Sequence, residues 1–230
     1  MPVYLLSDEL IFPDPNLTSK DGLLAVGGDL SQKRLLLAYS MGIFPWYSEH
    51  EPLLWWSPDP RLVLFPDDFR VSKSLQKLIK KGVFKVTLDT AFDRVINECA
   101  RIRRENDEGT WIVEDMIQAY CRLHDAGFAH SVETWQDDRL VGGLYGISLG
   151  RCFFGESMFA RASNASKVAF VTLVEYLQNL HFDMIDCQVT TEHLLSFGAK
   201  EIPRSRFLEE LKMFLRSPTL RGKWSFKNDA

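Results

Sequence analysis

The chain has 230 residues, of which 46% are hydrophobic and 25% are charged, so its composition is that of a globular protein of one or two domains. No apolar run approaches the roughly 20 residues of a membrane span, and the N-terminus lacks the basic and apolar segments of a secretory signal. The formal charge of −4 argues against a general nucleic-acid binder.

Cysteine and histidine usage indicates a reducing compartment and gives no sign of a bound metal. Each of the four cysteines lies in an apolar segment, and none forms a CxxC pair. We therefore expect buried, reduced thiols in a cytoplasmic protein. The five histidines lack metal-ligand spacing, so neither a metal nor another cofactor is predicted.

The first 62 residues are predicted to form a small N-terminal lobe that packs on a larger domain over residues 63–230. Eight of the ten prolines lie before residue 67, which indicates short elements joined by turns. One helix is predicted over residues 32–41, because Ser31 is a favourable N-cap and Gly42 is a usual residue after a helix end.

A basic run follows at residues 70–85, with six basic residues and no acidic one. Within it, Ser72 is a good N-cap for a helix that extends to about residue 80. A solvated face is the usual explanation of such lysines, and the absence of carboxylate partners supports the alternative that a polyanion docks at this place. The basic residues are Arg70, Lys73, Lys77, Lys80, Lys81 and Lys85.

The remaining elements predict an α+β fold with a mixed, mostly antiparallel sheet. Helices over residues 91–104 and 114–126 precede a hairpin turned at Asp137-Asp138 and a third strand, CFFGESMF. A helix over residues 165–179, the strand MIDCQV, a short helix, the extended segment GAKEIP and a last helix complete the order. The polar turn RIRREND ends the first of these helices, and residues 217–230 are expected to form a loosely held tail.

Three polar side chains interrupt the apolar strands of this region. Glu156 lies near the end of CFFGESMF, and Asp186 and Gln188 lie two apart in MIDCQV. Residues two apart on a strand point to the same face, so Asp186 and Gln188 are predicted to lie side by side. Burial of such groups is costly unless they are hydrogen-bonded or used in chemistry, and a structural hydrogen-bond pair inside a sheet is the alternative.

An ordered set of motifs resembles one enzyme family. The motifs are DGLLAVGGDLS, GIFPWY, WWSPDPR, EGTWI, VGGLYG, FFGESMF, NASK, IDCQ and GAKEIPR. In this order and spacing they resemble the leucyl/phenylalanyl-tRNA–protein transferases, from about residue 21 to residue 206. The resemblance implies a small N-terminal lobe followed by an acetyltransferase-like (GNAT-like) domain, in agreement with the element order above.

The activity that this resemblance implies is transfer of leucine or phenylalanine from charged tRNA to the α-amino group of a protein. The implied partners are Leu-tRNA and Phe-tRNA as donors, and acceptor proteins that begin with Arg or Lys. Transfer marks the acceptor for degradation by the N-end rule pathway. A cytoplasmic monomer with neither a cofactor nor a membrane partner is expected.

The resemblance places Asp186 and Gln188 at the reaction centre. An acceptor α-amine has a pKa of about 7.7–8.0, so the enzyme needs mainly to align the substrates, accept a proton and stabilise an oxyanion. Asp186 is the expected proton acceptor or relay, and Gln188, polarised by Asp186, is expected to orient the amine. Glu156 is expected to bind the cationic first residue of the acceptor.

Apolar and aromatic residues supply the other implied substrate contacts. The resemblance assigns Leu144, Phe153 and Phe170 to a pocket for the donor side chain, with plain core packing as the alternative. It assigns Trp46 and Trp111 to stacking on the terminal adenosine of the tRNA. The basic run would contact the acceptor-stem backbone, because phosphate contacts position a nucleic acid without reading its sequence.

Two other functions fit parts of the sequence. An acyl-CoA-dependent N-acetyltransferase usually has a Q/R-x-x-G-x-G/A loop at a helix start to bind pyrophosphate, whereas the corresponding segment here, FARASNASK, has no glycine. A non-enzymatic RNA-binding module would explain the lysines and tryptophans, but it would leave Glu156, Asp186 and Gln188 without a purpose.

Overall fold

Two mixed β-sheets with helices packed against them make up the computed structural model, which describes residues 3–105 and 111–226. The helices are α1 Gln32–Ser40, α2 Lys73–Lys80, α3 Phe92–Glu105, α4 Glu114–Asp125, α5 Ala165–Asn179, α6 Glu192–Leu195 and α7 Arg204–Phe214. The strands are β1 Tyr4–Leu6, β2 Leu23–Gly27, β3 Phe44–Pro45, β4 Leu54–Trp56, β5 Arg61–Leu64, β6 Lys85–Leu88, β7 Ala129–Gln136, β8 Arg139–Leu149, β9 Cys152–Ala160, β10 Met184–Gln188 and β11 Lys200–Ile202. None of the described helices has both the length and the apolarity to cross a membrane.

The small sheet is formed near the N-terminus and has the strand order β1-β2-β4-β3. The first helix packs beside it and confirms the predicted caps, since the Ser31 hydroxyl accepts a hydrogen bond from the Arg34 backbone N–H. Gly42 follows that helix with φ +71°. A Cβ atom there would lie 2.7 Å from the Phe207 ring of α7, so glycine lets the two helices approach closely.

The large sheet has the order β11-β5-β10-β9-β8-β7-β6, and only β9 and β10 run parallel within it. This arrangement confirms the predicted α+β class and the mixed, mostly antiparallel sheet. The predicted hairpin is also present, with Asp137 and Asp138 at φ 49° and 57°, the left-handed conformation that two-residue hairpin turns require. Helix α3 extends to Glu105, and the rest of the polar turn at residues 106–107 lies outside the described residues.

Two strands of the large sheet were not predicted. Strand β5 is fully buried between β10 and β11, although it follows a proline-rich segment. Strand β6 lies at the end of the basic run and pairs with β7.

The predicted domain boundary at residue 62 falls inside a strand, because β5 spans Arg61–Leu64, and that boundary stays a prediction. One hydrophobic core joins Leu24 of the small sheet to Phe154 of the large sheet.

The C-terminal segment contradicts the prediction of a loosely held tail. Trp224 is only 3% exposed, and its ring stacks on His130 with 3.7 Å between centroids. Its backbone N–H donates to the buried Asp89 carboxylate at 2.7 Å. The sequence prediction followed the general behaviour of chain termini and missed this anchor, whose ring belongs to the hydrophobic core. Residues 227–230 lie outside the described part of the chain.

Candidate active site

The candidate site lies where β9 and β10 stop pairing. Their parallel register runs from Met184↔Cys152 to Asp186↔Phe154, and β9 then continues alone on this side. Two irregularities fall at this point. The register of β8 and β9 shifts so that Glu156 has no residue directly opposite, and the register of β10 and β5 shifts between Asp186 and Gln188. Such bulges re-aim side chains, and here they turn Glu156 and Gln188 toward each other.

A cavity of about 410 Å³ opens at this gap between the strands. It brings together seven of the residues singled out in the sequence, from β8, β9, α5, β10 and the loops around Trp46 and Trp111. They are Trp46, Trp111, Leu144, Phe153, Glu156, Phe170 and Gln188. The seven converge on one concave surface from distant parts of the chain, as the residues of a ligand site do.

The inner wall of the cavity is apolar. Leu144, Phe153 and Phe170 are each at most 3% exposed and belong to one hydrophobic cluster. Leu173 and Ile185 also line the cavity but were not singled out from the sequence. Their positions gave a signal, since Leu173 lies one turn after Phe170 on α5 and Ile185 precedes Asp186. These residues pack the core and also line the cavity, and their contact with a donor side chain stays a prediction.

The outer part of the cavity is aromatic. Trp46 is 38% exposed, and its ring centroid lies 6.0 Å from that of Trp111. Trp56 fixes Trp46 from behind, because its indole N–H donates to the Trp46 carbonyl at 2.7 Å. The guanidinium carbon of Arg103 lies 3.7 Å from the Trp111 ring centroid, and Arg103, which the sequence analysis missed, lines the same cavity. The flat rings of this surface are of the kind on which aromatic bases can stack.

Glu156 is the one acidic residue among the described residues that line the cavity. Its Oε1 accepts hydrogen bonds from the Tyr39 hydroxyl at 2.7 Å and from Gln188 Nε2 at 2.9 Å, and its Oε2 accepts one from the Tyr120 hydroxyl at 3.0 Å. Burial raises the pKa of Glu156 to about 7, against the opposing effect of these three hydrogen bonds. The sequence analysis missed both tyrosines, which occupy apolar positions of α1 and α4.

Asp186 lies behind the cavity wall and does not line it. The residue is fully buried, and Arg61 binds its carboxylate in a bidentate manner, with Nε to Oδ1 at 2.8 Å and Nη2 to Oδ2 at 2.7 Å. Asp186 Oδ1 also accepts the backbone N–H of Gln188 at 3.0 Å. The prediction that Asp186 polarises the Gln188 carboxamide is therefore corrected. Gln188 has φ +63°, and its carboxamide turns to Glu156 instead.

The predicted tRNA-backbone residues lie outside the cavity. All six side chains are exposed, and within residues 3–105 and 111–226 no ion pair is formed by any of the five lysines. Helix α2 carries three of these lysines and is capped by Ser72 as predicted. Its one buried side chain, Leu75, joins the hydrophobic cluster that holds Phe170 of the cavity wall. The surface is therefore basic and accessible, and its contact with nucleic acid stays a prediction.

Comparison with known proteins identifies the family. Residues 63–212 match the family model described as leucyl/phenylalanyl-tRNA protein transferase, and residues 28–59 match the model of its N-terminal domain. A leucyl/phenylalanyl-tRNA–protein transferase of Desulfatibacillum aliphaticivorans is 62% identical over 100% of this chain and 98% of its own length. That of Myxococcus xanthus is 58% identical over 98% of this chain and 97% of its own length.

Solved structures show a more distant similarity. An aminoglycoside acetyltransferase from an uncultured soil metagenomic sample matches 50% of this chain and 84% of its own, with 10% sequence identity and a TM-score of 0.40. The assignment does not depend on that similarity, because the sequence matches extend over nearly the whole chain. The chain belongs to the leucyl/phenylalanyl-tRNA–protein transferase family of aminoacyltransferases.

Proposed function

We propose that the protein transfers leucine or phenylalanine from charged tRNA to the α-amino group of proteins that begin with Arg or Lys. The observation that carries this proposal is that three kinds of surface line one cavity. An apolar wall, a carboxyl–carboxamide pair and an aromatic mouth follow one another within it. These surfaces match an apolar aminoacyl group, a cationic acceptor and the terminal adenosine of a tRNA in turn.

The reaction requires alignment of the ester donor and the amine acceptor more than activation of either. The donor is an ester, and the attacking α-amine has a pKa of about 7.7–8.0, so a fair fraction of it is neutral at physiological pH. As the amine adds, the ester π electrons move to the carbonyl oxygen, and they return when the bond to the 3′ oxygen breaks. The departing oxygen takes a proton from the attacking nitrogen. Gln188 lines the cavity and is proposed to orient the amine, while its carboxamide is held by Glu156.

Glu156 is proposed to bind the cationic first residue of the acceptor, and Asp186 to act as a positioning residue. Asp186 has both oxygens engaged by Arg61 and has no access to the cavity, so it fits a role in shaping β10 better than proton transfer. Its hydrogen bond to the Gln188 N–H stabilises the bulge that aims Gln188 at Glu156. The three residues then have separate roles. Asp186 positions strand β10, Gln188 orients the amine, and Glu156 binds the acceptor cation.

The apolar wall is proposed to select the donor. Leu144, Phe153 and Phe170 offer hydrophobic surface without a hydrogen-bonding group, as a leucine or phenylalanine side chain requires. Trp46 and Trp111 are proposed to stack on the terminal adenosine, a contact worth roughly 1–3 kcal/mol per base. The proposal also includes a cytoplasmic monomer, an acetyltransferase-like domain over residues 63–230 and a small lobe before it. Four unpaired cysteines support the reducing compartment.

The test of the function is transfer of radiolabelled leucine from Leu-tRNA to a peptide with N-terminal Arg. An N-terminal Ala peptide, and acetyl-CoA offered with the Arg peptide, serve as controls. We expect label on the Arg peptide alone. The Gln188→Asn variant is expected to lose roughly 10- to 100-fold of the rate, because the shorter amide still tolerates φ > 0 but no longer reaches Glu156.

Two of the remaining outcomes would identify a rival function, and a third would remove only the acceptor specificity. Acetylation of the peptide from acetyl-CoA would identify an N-acetyltransferase. Retained tRNA binding without transfer of label would identify a non-enzymatic RNA-binding module. Equal label on the Arg and Ala peptides would leave aminoacyl transfer standing and remove the acceptor specificity.

A second prediction concerns the basic face of α2. Neutralising Lys73, Lys77 and Lys80 together by substitution with Gln is expected to weaken donor tRNA binding. If each lysine meets one phosphate, the slope of log K against log salt should become shallower by about 2–3. Donor titrations at several salt concentrations measure that slope.

The matched control for this triple variant is substitution of Lys20, Lys33 and Lys212 by Gln. These lysines are also exposed but lie in other parts of the chain. The control changes the net charge by the same amount and should leave the slope near that of the unaltered protein. An unchanged slope in the α2 variant, or the same change in both variants, would count against the assignment.

A further inference from the structure

Three oxygen-bearing side chains form a closed triangle behind the cavity. The Tyr39 and Tyr120 hydroxyl oxygens lie within hydrogen-bond distance of each other, and each also bonds one oxygen of Glu156, at 2.7 and 3.0 Å. Both tyrosines are fully buried, come from helices α1 and α4, and do not line the cavity. The triangle therefore has three oxygen–oxygen contacts and no access to solvent from the tyrosine side.

The number of protons in the triangle depends on the charge of Glu156. Each tyrosine hydroxyl has one proton to donate, and burial raises the pKa of both tyrosines, which keeps those protons in place. With an ionised Glu156, two protons serve three contacts, and one pair of oxygens faces each other without a hydrogen between them. With a protonated Glu156, one of the two tyrosine–carboxylate hydrogen bonds reverses, and three protons serve three contacts in a ring. The carboxyl donates to one tyrosine, that tyrosine donates to the other, and the other donates back to the carboxyl.

We infer that Glu156, Tyr39 and Tyr120 together hold one extra proton in the free enzyme, and that a cationic acceptor releases it on binding. The inference rests on the proposed function for the identity of the acceptor. In the step, the O–H bond of the Glu156 carboxyl breaks and its electron pair stays on the carboxylate. The proton passes to solvent, and the ion pair with the acceptor cation replaces it. Tyr39 and Tyr120 are thus positioning residues that act through Glu156.

Burial and one neighbouring charge favour a neutral Glu156 carboxyl in the free enzyme. Asp186 on β10 disfavours the ionised form by like-charge repulsion, whereas the hydrogen bond from Gln188 favours it. On β8, Tyr145 is buried, and its hydroxyl has no hydrogen-bond partner among the described residues. Arg103 on α3 lines the same cavity and lies against the Trp111 ring. The pKa of about 7 for Glu156 agrees with a proton that a bound cation can displace near neutral pH.

Infrared difference spectroscopy tests directly whether Glu156 carries the extra proton in the free enzyme. At about pH 6, one unit below the pKa of about 7, some nine-tenths of Glu156 should be protonated. The unaltered protein minus Glu156→Gln should then show the carbonyl band of a protonated carboxylic acid. In Tyr39→Phe and in Tyr120→Phe the band should move to higher wavenumber, since the carboxyl loses a hydrogen bond. Tyr145→Phe removes a neighbouring hydroxyl outside the triangle and should leave the band in place.

Calorimetry tests the release. Titration with an N-terminal Arg peptide in two buffers of different ionisation enthalpy should show release of about one proton per peptide at about pH 6, declining as pH rises through about 7. Glu156→Gln with the same peptide should show none of that release, and it corrects for titration of the peptide itself.

The outcomes separate this inference from the proposed function. A missing acid band in the unaltered protein, or equal proton release in Glu156→Gln, would overturn the inference. The band is a property of the free enzyme, so it can be present even if no leucine is transferred. If leucine is transferred but the acid band is absent, the proposed function stands, and only the inference that Glu156 carries a proton is overturned.

Discussion

Removal of the Arg61 side chain in Arg61→Ala is expected to lower the free energy of unfolding by about 3–5 kcal/mol, which is the usual cost of leaving one partner of a buried ion pair alone. The guanidinium and the Asp186 carboxylate are 1% and 0% exposed and form two hydrogen bonds of 2.7 and 2.8 Å. The guanidinium also lies between the rings of Phe44 and Phe207, at 4.8 and 4.6 Å. Arg61 therefore links β3 of the small sheet, helix α7 and strand β10, which carries Asp186 and Gln188.

Urea unfolding of four variants measures this effect. The surface pair Arg206–Glu210 supplies the matched control, because its arginine is 54% exposed and makes one 2.9 Å contact. Arg206→Ala should cost no more than about 1 kcal/mol. The double variant Arg61→Ala with Asp186→Ala should be less destabilised than the sum of its two single variants, since it leaves no buried charge unpaired. Equal losses in Arg61→Ala and Arg206→Ala would contradict the role given to the pair.

Loss of Arg61 should also reduce leucine transfer in the protein that remains folded. Asp186 holds the Gln188 N–H through the same oxygen that accepts Arg61 Nε. Without the guanidinium, the carboxylate loses its fixed orientation, and the bulge that aims Gln188 loses its support. The same buried pair thus stabilises the sheet and positions the site.

Elements with a strong local signal were predictable from the sequence. The hairpin at Asp137-Asp138 follows from the turn residues alone. Helix α5 spans its predicted range, although Asn164 at its start forms no side-chain cap hydrogen bond. Glu156 could be singled out because a carboxylate in an apolar strand breaks the pattern. In each case the information lies within about fifteen residues of chain.

Features that depend on distant partners were not predictable. Arg61 follows a proline-rich segment, and nothing nearby shows that Asp186 would neutralise it in the core. Tyr39 and Tyr120 occupy core positions of two helices, where a tyrosine looks like any aromatic until the fold brings Glu156 against both hydroxyls. The orientation of Gln188 depends on a bulge, which shifts the side chain away from the alternation that sequence reasoning assumes.

The Glu156→Gln variant is expected to weaken acceptor binding by about 10- to 100-fold while leaving Leu-tRNA binding nearly unchanged. A hydrogen bond to a charged group contributes about 1.5–3 kcal/mol, and each 1.4 kcal/mol is a factor of ten in affinity. Glutamine has the same shape as glutamate and keeps an oxygen that can accept a hydrogen bond from a tyrosine. The substitution therefore removes the negative charge that faces the acceptor cation and changes the packing little. Titration with an N-terminal Arg peptide and, separately, with Leu-tRNA measures the two affinities.

Substitution of a nearby carboxylate distinguishes direct contact with the acceptor cation from a general electrostatic effect on peptide binding. Glu192 is exposed at the start of α6, next to the cavity-lining residues Thr191 and His193, and Glu192→Gln removes one negative charge without touching the cavity. We expect it to change peptide affinity less than threefold, because an exposed charge is screened by salt. Equal losses of peptide and tRNA affinity in Glu156→Gln would show that Glu156 maintains the shape of the whole cavity. A loss confined to the peptide, and absent in Glu192→Gln, is what recognition of the acceptor cation requires.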